Sequence, residues 1–328
     1  NICLLVSINR CRRPPNPSSM AGASLALLVL LAVIDESYSH RLWTGEEQEK
    51  LSTRVECPDL KHARFEPISS GNNGQVLKMK RKDMPATALK ISSQNLTSRD
   101  FLIQEELASL EHQRFFPSPG EAFSCECSDL PQKLKRMAQE VAQLKGKIVP
   151  DYDGLATCHM LNQPLLGKDL REDPPLNGKM AKSIVFQIFF AYYWGKSHIG
   201  FSHSDPNDDN YVLTPAMPPE SALNRKFCFR AQGKTWCIPA KDTDGKLVNI
   251  IDFGQSGTSN YPFNSRKIGR QSPMIEETGL KQMVRKWNVP LSDAISRRND
   301  WASTLTSSVF NGYLQQKVPE NSVCYGEC

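Results

Sequence analysis

His203-Ser204-Asp205-Pro206-Asn207-Asp208-Asp209-Asn210 runs straight into the apolar triplet Tyr211-Val212-Leu213. Forty-two residues beyond Asn210, the run Leu247-Val248-Asn249-Ile250-Ile251 ends on Asp252-Phe253-Gly254. Each stretch reads as a short strand with polar side chains at its tip: Asp205 and Asn210 precede one strand, and Asp252 follows the other. Carboxylate and amide oxygens are hard ligands that suit Mg2+, a cation that keeps waters and substrate phosphates in its remaining positions. Taken alone, an Asp-Phe-Gly is usually a turn after a strand, and a His in such a loop is usually a structural hydrogen-bonding residue. The rest of the chain decides between these readings.

The chain has 328 residues, 40 Lys and Arg against 35 Asp and Glu, and a net charge of +5. Hydrophobic residues make up 39%, charged residues 23%, and the mean hydropathy is −0.44. That balance suits a globular chain with length for one large two-lobed domain or two ordinary ones. It excludes a multi-span membrane protein, a collagen and a disordered tail. The positive charge is too mild and too dispersed to argue for nucleic acid.

Residues 1–39 read as a leader. From a possible start at Met20, the apolar run Ala23 to Ile34 covers 12 residues, which suits a signal-peptide core and falls short of a membrane span. Ser37 and Ser39 supply small residues for a cut before His40. The mature chain is then expected in a secretory lumen or outside the cell, with no membrane span. Eight of the 10 cysteines lie beyond the leader: Cys57, Cys125, Cys127, Cys158, Cys228, Cys237, Cys324 and Cys328. An even set suggests disulfides, with zinc the rival reading. Cys228 and Cys237 bracket a hairpin with Gly233 in its turn and are the best local pair, while Cys324 and Cys328 are expected to pair or to tie down the C-terminus. Asn95-Leu96-Thr97 is a glycosylation sequon.

Along the chain, residues 40–64 form a polar lead-in. Phe65 to Ser92 reads as three strands with a Gly-containing first turn, and 98–113 as a helix with Ser98 as its cap. A cysteine-bearing loop follows, then an amphipathic helix over 131–145 with Leu134, Met137, Val141 and Leu144 on one face. Two short strands are expected in 147–161, and a strongly apolar helix over 178–197. The last 75 residues look helical at 275–287 and 300–316, with little strand.

With these elements in place, the chain resembles the protein-kinase-like fold. His203, Asp205 and Asn210 match its catalytic loop, and Asp252-Phe253-Gly254 matches its metal-binding motif. Ser69, Gly71, Gly74 and Val76 resemble the glycine-rich loop, with Ser69 in place of the first glycine. Lys90 lies 14 residues after Val76 in Thr87-Ala88-Leu89-Lys90-Ile91 and matches the strand lysine. Glu106, 16 residues further on and in phase with Leu110, matches the acid of the bridging helix. The resemblance implies a two-lobed α+β fold: an N-lobe over 65–161, built on a small antiparallel sheet with one bridging helix, and a reduced, mainly helical C-lobe over 162–328.

The resemblance also implies a chemistry, ATP-dependent phosphoryl transfer to Ser or Thr hydroxyls of a protein substrate. Lys90 would bind the α- and β-phosphates, held by Glu106. Ser69, Gly71, Gly74 and Val76 would cover the nucleotide. Asn210 and Asp252 would hold Mg2+, and Asp205 would accept or orient the acceptor's hydroxyl proton. Several residues depart from the pattern. Ser204 replaces an Arg that pairs with phosphorylated loops in many relatives, Asn207 replaces a Lys near the γ-phosphate, and Asp208 and Asp209 add negative charge beside it. The segment around Cys125–Lys145 looks inserted. These departures leave two alternatives, a small-molecule kinase of the same fold and a catalytically weak pseudokinase serving as a binding module.

Overall fold

Phe65, Leu77, Met79, Leu89 and Ile91 alternate with polar or small neighbours, and that period of two puts them on one face of a sheet. In the computed structural model, which describes residues 57–71, 74–92, 96–110, 114–263, 266–291 and 301–326, these residues belong to β1 (Arg64–Gly71), β2 (Gly74–Lys80) and β3 (Thr87–Ser92). The strands β4 (Glu121–Glu126) and β5 (Thr157–Pro164) complete a five-stranded antiparallel sheet in the order β1-β2-β3-β5-β4. β5 continues past residue 161, where the sequence suggested a boundary. The expected leader, Asn95 and Cys328 lie outside the described residues.

Helix α1 (Leu96–Ala108) crosses one face of this sheet, and α2 (Gln132–Leu144) covers β1 and β2 on the other. α1 therefore starts two residues before the expected cap at Ser98 and stops five before residue 113. α2 matches the expected amphipathic helix and buries Leu134, Ala138 and Val141. Leu144, expected on the same face, is 79% exposed because the helix ends there and its last turn overhangs the sheet. The loop expected around Cys125 is strand β4. Phe123 and Cys125 face inward, but Ser124 and Cys125 side by side made the alternation hard to see. Two disulfides fix this region, Cys57–Cys125 and Cys127–Cys158. Both join the apolar core formed by the inward residues of β1–β5 and α2.

A second core surrounds helix α3 (Gly178–Ile199). A helix apolar on all sides must be enclosed on all sides, and Ile184 to Tyr192 are all fully buried, Gln187 among them as a polar link. The Gln187 side-chain oxygen accepts the Val248 N–H at 2.9 Å. Asn177 caps the helix by accepting from the Lys179 and Met180 amides. Gly200 ends it at φ +67°, where a side chain would be strained.

Strands β6 (Tyr211–Pro215) and β9 (Lys246–Ile250) pair antiparallel beside α3. Between them in sequence stand β7 (Lys226–Ala231) and β8 (Lys234–Pro239), the expected hairpin, with Cys228 directly opposite Cys237 and bonded to it. The C-terminal region departs from the mostly helical expectation. After α4 (Arg266–Lys286) and the short α5 (Trp301–Leu305), it forms β10 (Leu314–Gln315) and β11 (Ser322–Gly326), which flank the hairpin in the order β10-β8-β7-β11. β11 runs parallel to β7, and Tyr325 stacks on Phe229. Nothing local marks β11 as a strand; its pairing is decided by a partner almost 100 residues earlier. The described residues thus form a mixed α+β structure, and none of their helices is long and apolar enough to cross a membrane.

The β1–β2 turn depends on one glycine. Gly74 has φ +142°, and a Cβ there would lie 2.5 Å from the Ile91 carbonyl oxygen. Gly74→Ala should destabilise the protein by about 1–3 kcal/mol, read as a lowered urea midpoint. An unchanged midpoint would show that the hairpin can shift away from β3.

Candidate functional site

The register of β6 on β9 assembles the centre of the site. Tyr211 pairs with Ile250, and the Ile251 N–H continues the ladder to the Asn210 carbonyl at 3.0 Å. Residues 203–210 and Asp252 therefore emerge at the same end of a two-stranded ribbon. Asn210 Nδ2 donates to the Asp205 carbonyl at 2.8 Å and to Asp205 Oδ2 at 3.2 Å, and Asn207 donates to Asp205 Oδ1. With its amide nitrogen committed, Asn210 offers its side-chain oxygen as a ligand.

His203 is fully buried and holds the loop from within. Nε2–H donates to the Ile251 carbonyl at 2.8 Å, and Nδ1 accepts the Asp205 N–H at 3.3 Å, a pairing that assigns the proton to Nε2. Its role is structural, as the sequence suggested. Both Ser204 (φ 64°) and Asp252 (φ 61°) adopt left-handed backbone conformations that are costly for non-glycine residues. A buried carboxylate on α4, Glu276, supports the strained loop. Its Oε1 accepts from Ser202 Oγ at 2.6 Å, from the Ser204 N–H at 3.2 Å and from the His203 N–H. Burial raises the pKa of Glu276 to about 7.

Lys90 comes to this site from β3. Its ammonium lies 2.7 Å from Asp100 Oδ2 and 2.6 Å from Asp252 Oδ1. Burial works against the charged ammonium, but the two carboxylates outweigh it and hold Lys90 above its ordinary pKa. Asp252 is correspondingly held below the usual carboxylate range: burial opposes its charge, and Lys90 overcomes that opposition. Asp100 is pushed up, by burial first and then by Asp252, although Lys90 pulls the other way. Burial likewise raises Asp205, with Asp252 adding to the effect.

The acid paired with Lys90 is therefore Asp100, not Glu106. Asp100 lies in the first turns of α1, where the helix runs close enough to β3 for a short side chain to reach. Its other oxygen accepts the Phe253 N–H at 2.9 Å, so one carboxylate holds both the lysine and the Asp-Phe-Gly segment. Glu106 sits farther along α1 and binds Thr258 Oγ1 and Asn260 Nδ2, each at 2.6 Å. Arg99, also missed in the sequence, is buried and donates to the carbonyls of Ser256, Tyr261 and Pro262 at 2.7–2.9 Å. The signal available beforehand was the adjacent pair Arg99-Asp100, charged residues immediately preceding an apolar run.

The expected glycine-rich loop is a tight hairpin. β1 and β2 pair to the last residue, Gly71 opposite Gly74, with Ser69 opposite Val76 and Val76 opposite Lys90 on β3. Gly74 is explained by its approach to Ile91. The acidic loop is also less unbalanced than its sequence implied: Arg171 pairs with Asp209 at 2.9 Å, and Lys286 pairs with Asp208. Among the described residues no cluster of three or more His, Cys, Asp or Glu could hold a metal unaided. Asn210 and Asp252 nonetheless suit a cation that completes its shell with water and phosphate. The centre sets one ammonium against the carboxylates of Asp100, Asp205 and Asp252, an excess of negative charge that a divalent cation would offset.

No protein-family model matches the chain, and a search of curated proteins finds no match.

Two predictions separate these roles. Asp100→Asn leaves Lys90 half-compensated in a buried site and should cost about 3 kcal/mol or more. Glu106→Gln should cost only about 1 kcal/mol. Urea unfolding of both variants tests this, and a larger loss at Glu106 would reverse the assignment. For Glu276 the folded pKa lies above the unfolded one, so the group's stabilising contribution is complete at low pH and is lost as pH rises from 4.5 to about 7. Relative to Glu276→Gln, the wild type should lose on the order of 3 kcal/mol across that window. Parallel slopes for the two proteins would refute the assignment.

Proposed function

We propose that the chain is a two-lobed, protein-kinase-like phosphotransferase that moves the γ-phosphate of Mg·ATP to Ser or Thr hydroxyls of a protein in the secretory pathway or outside the cell. The observation that supports it most is the joining of Lys90 to Asp252, 162 residues apart, at the end of the ribbon that also presents Asp205 and Asn210. Three disulfides agree with an oxidising compartment.

In this reading the bound nucleotide and metal supply the transferable phosphoryl group and neutralise its charge. The chain's own residues bind and orient. Asp252 and the Asn210 side-chain oxygen would hold the cation, and Lys90 would turn its remaining N–H toward the α- and β-phosphates. Asp205, oriented by Asn207 and Asn210, would accept or orient the acceptor's hydroxyl proton. Val76 and Ala88 lie beside Lys90 on the sheet face that would cover the nucleotide.

One observation favours the second reading, a pseudokinase acting as a binding module. Pairing of β1 with β2 right up to Gly71 and Gly74 leaves little loop to wrap a triphosphate. Transfer of ³²P from Mg·ATP by full-length protein made in an oxidising host distinguishes the two, with a thermal-shift titration of ATP alongside. The kinase reading expects transfer that falls at least about 1,000-fold in Asp252→Ala and about 100-fold or more in Asp205→Asn. ATP binding without transfer to protein would favour the module, and folded protein showing neither would end both readings.

A further inference from the structure

Between Asp59 and Asp83 the chain has six Lys and Arg against three Asp and Glu, in a protein whose whole net charge is +5. The β1–β2 register gathers these cations at the end of the ladder away from the Gly71–Gly74 turn. Arg64 lies directly opposite Lys80, Lys61 stands just before β1, and Arg81 and Lys82 follow β2. Lys61, Arg64, Lys80 and Lys82 are exposed. Glu66 answers Lys78 at 2.8 Å; among the described residues Lys61, Arg64, Lys80, Arg81 and Lys82 have no ion-pair partner. Like charges placed opposite each other on paired strands oppose the pairing. Arg81 adds an independent sign, because its Nε and Nη2 are enclosed without a hydrogen-bond acceptor. A guanidinium with two nitrogens enclosed and no acceptor carries a cost that an anion at its open edge would offset.

We propose that this end of the β1–β2 hairpin binds a sulfated polysaccharide, with Arg81 taking one sulfate ester and Arg64, Lys80 and Lys82 following the chain. Sulfate esters stay ionised at every physiological pH, and their oxygens match the fork of a guanidinium. Strand geometry spaces cations about 5 Å apart across the pair and about 7 Å along it, a repeat that suits a linear polyanion. A nucleic acid fits less well, since the only Phe, Tyr or Trp between Asp59 and Asp83 is Phe65, which is buried and cannot stack on a base. The disulfides agree with a compartment in which sulfated glycans are the common soluble polyanions. The site is independent of phosphoryl transfer.

The test is calorimetric titration of the full-length protein with a heparin oligosaccharide of defined length over a series of salt concentrations. Saturable binding that weakens with salt is expected. Lys80→Ala/Lys82→Ala, both exposed and safe for folding, should flatten the log–log salt slope by about two and lower affinity at least about tenfold. Arg81→Gln should lower affinity about as much while keeping the unliganded melting temperature at or above the wild type's. Asp252→Ala should bind like the wild type. No binding, equal binding of the desulfated oligosaccharide, or equal binding of poly-glutamate or anionic phosphatidylserine vesicles would each overturn the proposal, as would unchanged affinity in the Lys80/Lys82 variant.

Discussion

A lysine ammonium shut away from water needs its charge answered, and Lys90 meets that need with two carboxylates from distant parts of the chain. Desolvating the ion costs several kcal/mol, so the pairing is stable only if both acids arrive in good geometry. That requirement links β3, α1 and the end of β9. The fold around the site can be understood as what delivers Asp100 and Asp252 to within 2.7 Å of one nitrogen.

Helix α1 does most of the delivering. Arg99, Asp100 and Glu106 all reach the segment that follows β9: the first through carbonyls of residues 256–262, the second through the Phe253 amide, the third through Thr258 and Asn260. Arg99 and Glu106 are seven residues apart, two helical turns, and so lie on one face. Glu276 of α4 in turn holds the Ser202 hydroxyl and the backbone amides of His203 and Ser204. The two strained residues, Ser204 and Asp252, sit between these supports, which is where strain can persist.

Much of this could be read from the chain itself. Lys90, Asp205, Asn210 and Asp252 were visible because each sits at a strand or strand end with distinctive neighbours, and Cys228–Cys237 because a hairpin fixes its own register. Asp100 was not visible. Choosing between it and Glu106 depends on how closely α1 approaches β3, a distance set by packing rather than by periodicity. The same limit hid the neutralisation of Asp208 and Asp209, whose cations lie 78 and 38 residues away along the chain. It also hid β11, which exists as a strand only because β7 offers it an edge.

The cross-links carry one more consequence. The three bridges with both ends described lie within 57–158 or within 228–237. None of these ties the sheet bearing Lys90 to the ribbon bearing Asp205 and Asp252, so these three bridges stiffen each side without locking the two together. Across that seam the hold combines these ion pairs and hydrogen bonds with apolar packing of Ile103, Leu107 and Phe116 against Phe201 and Phe253, non-covalent contacts that can break and re-form as a molecule enters or leaves. A protein built this way can be stiffened by its cross-links and still breathe at the seam between them.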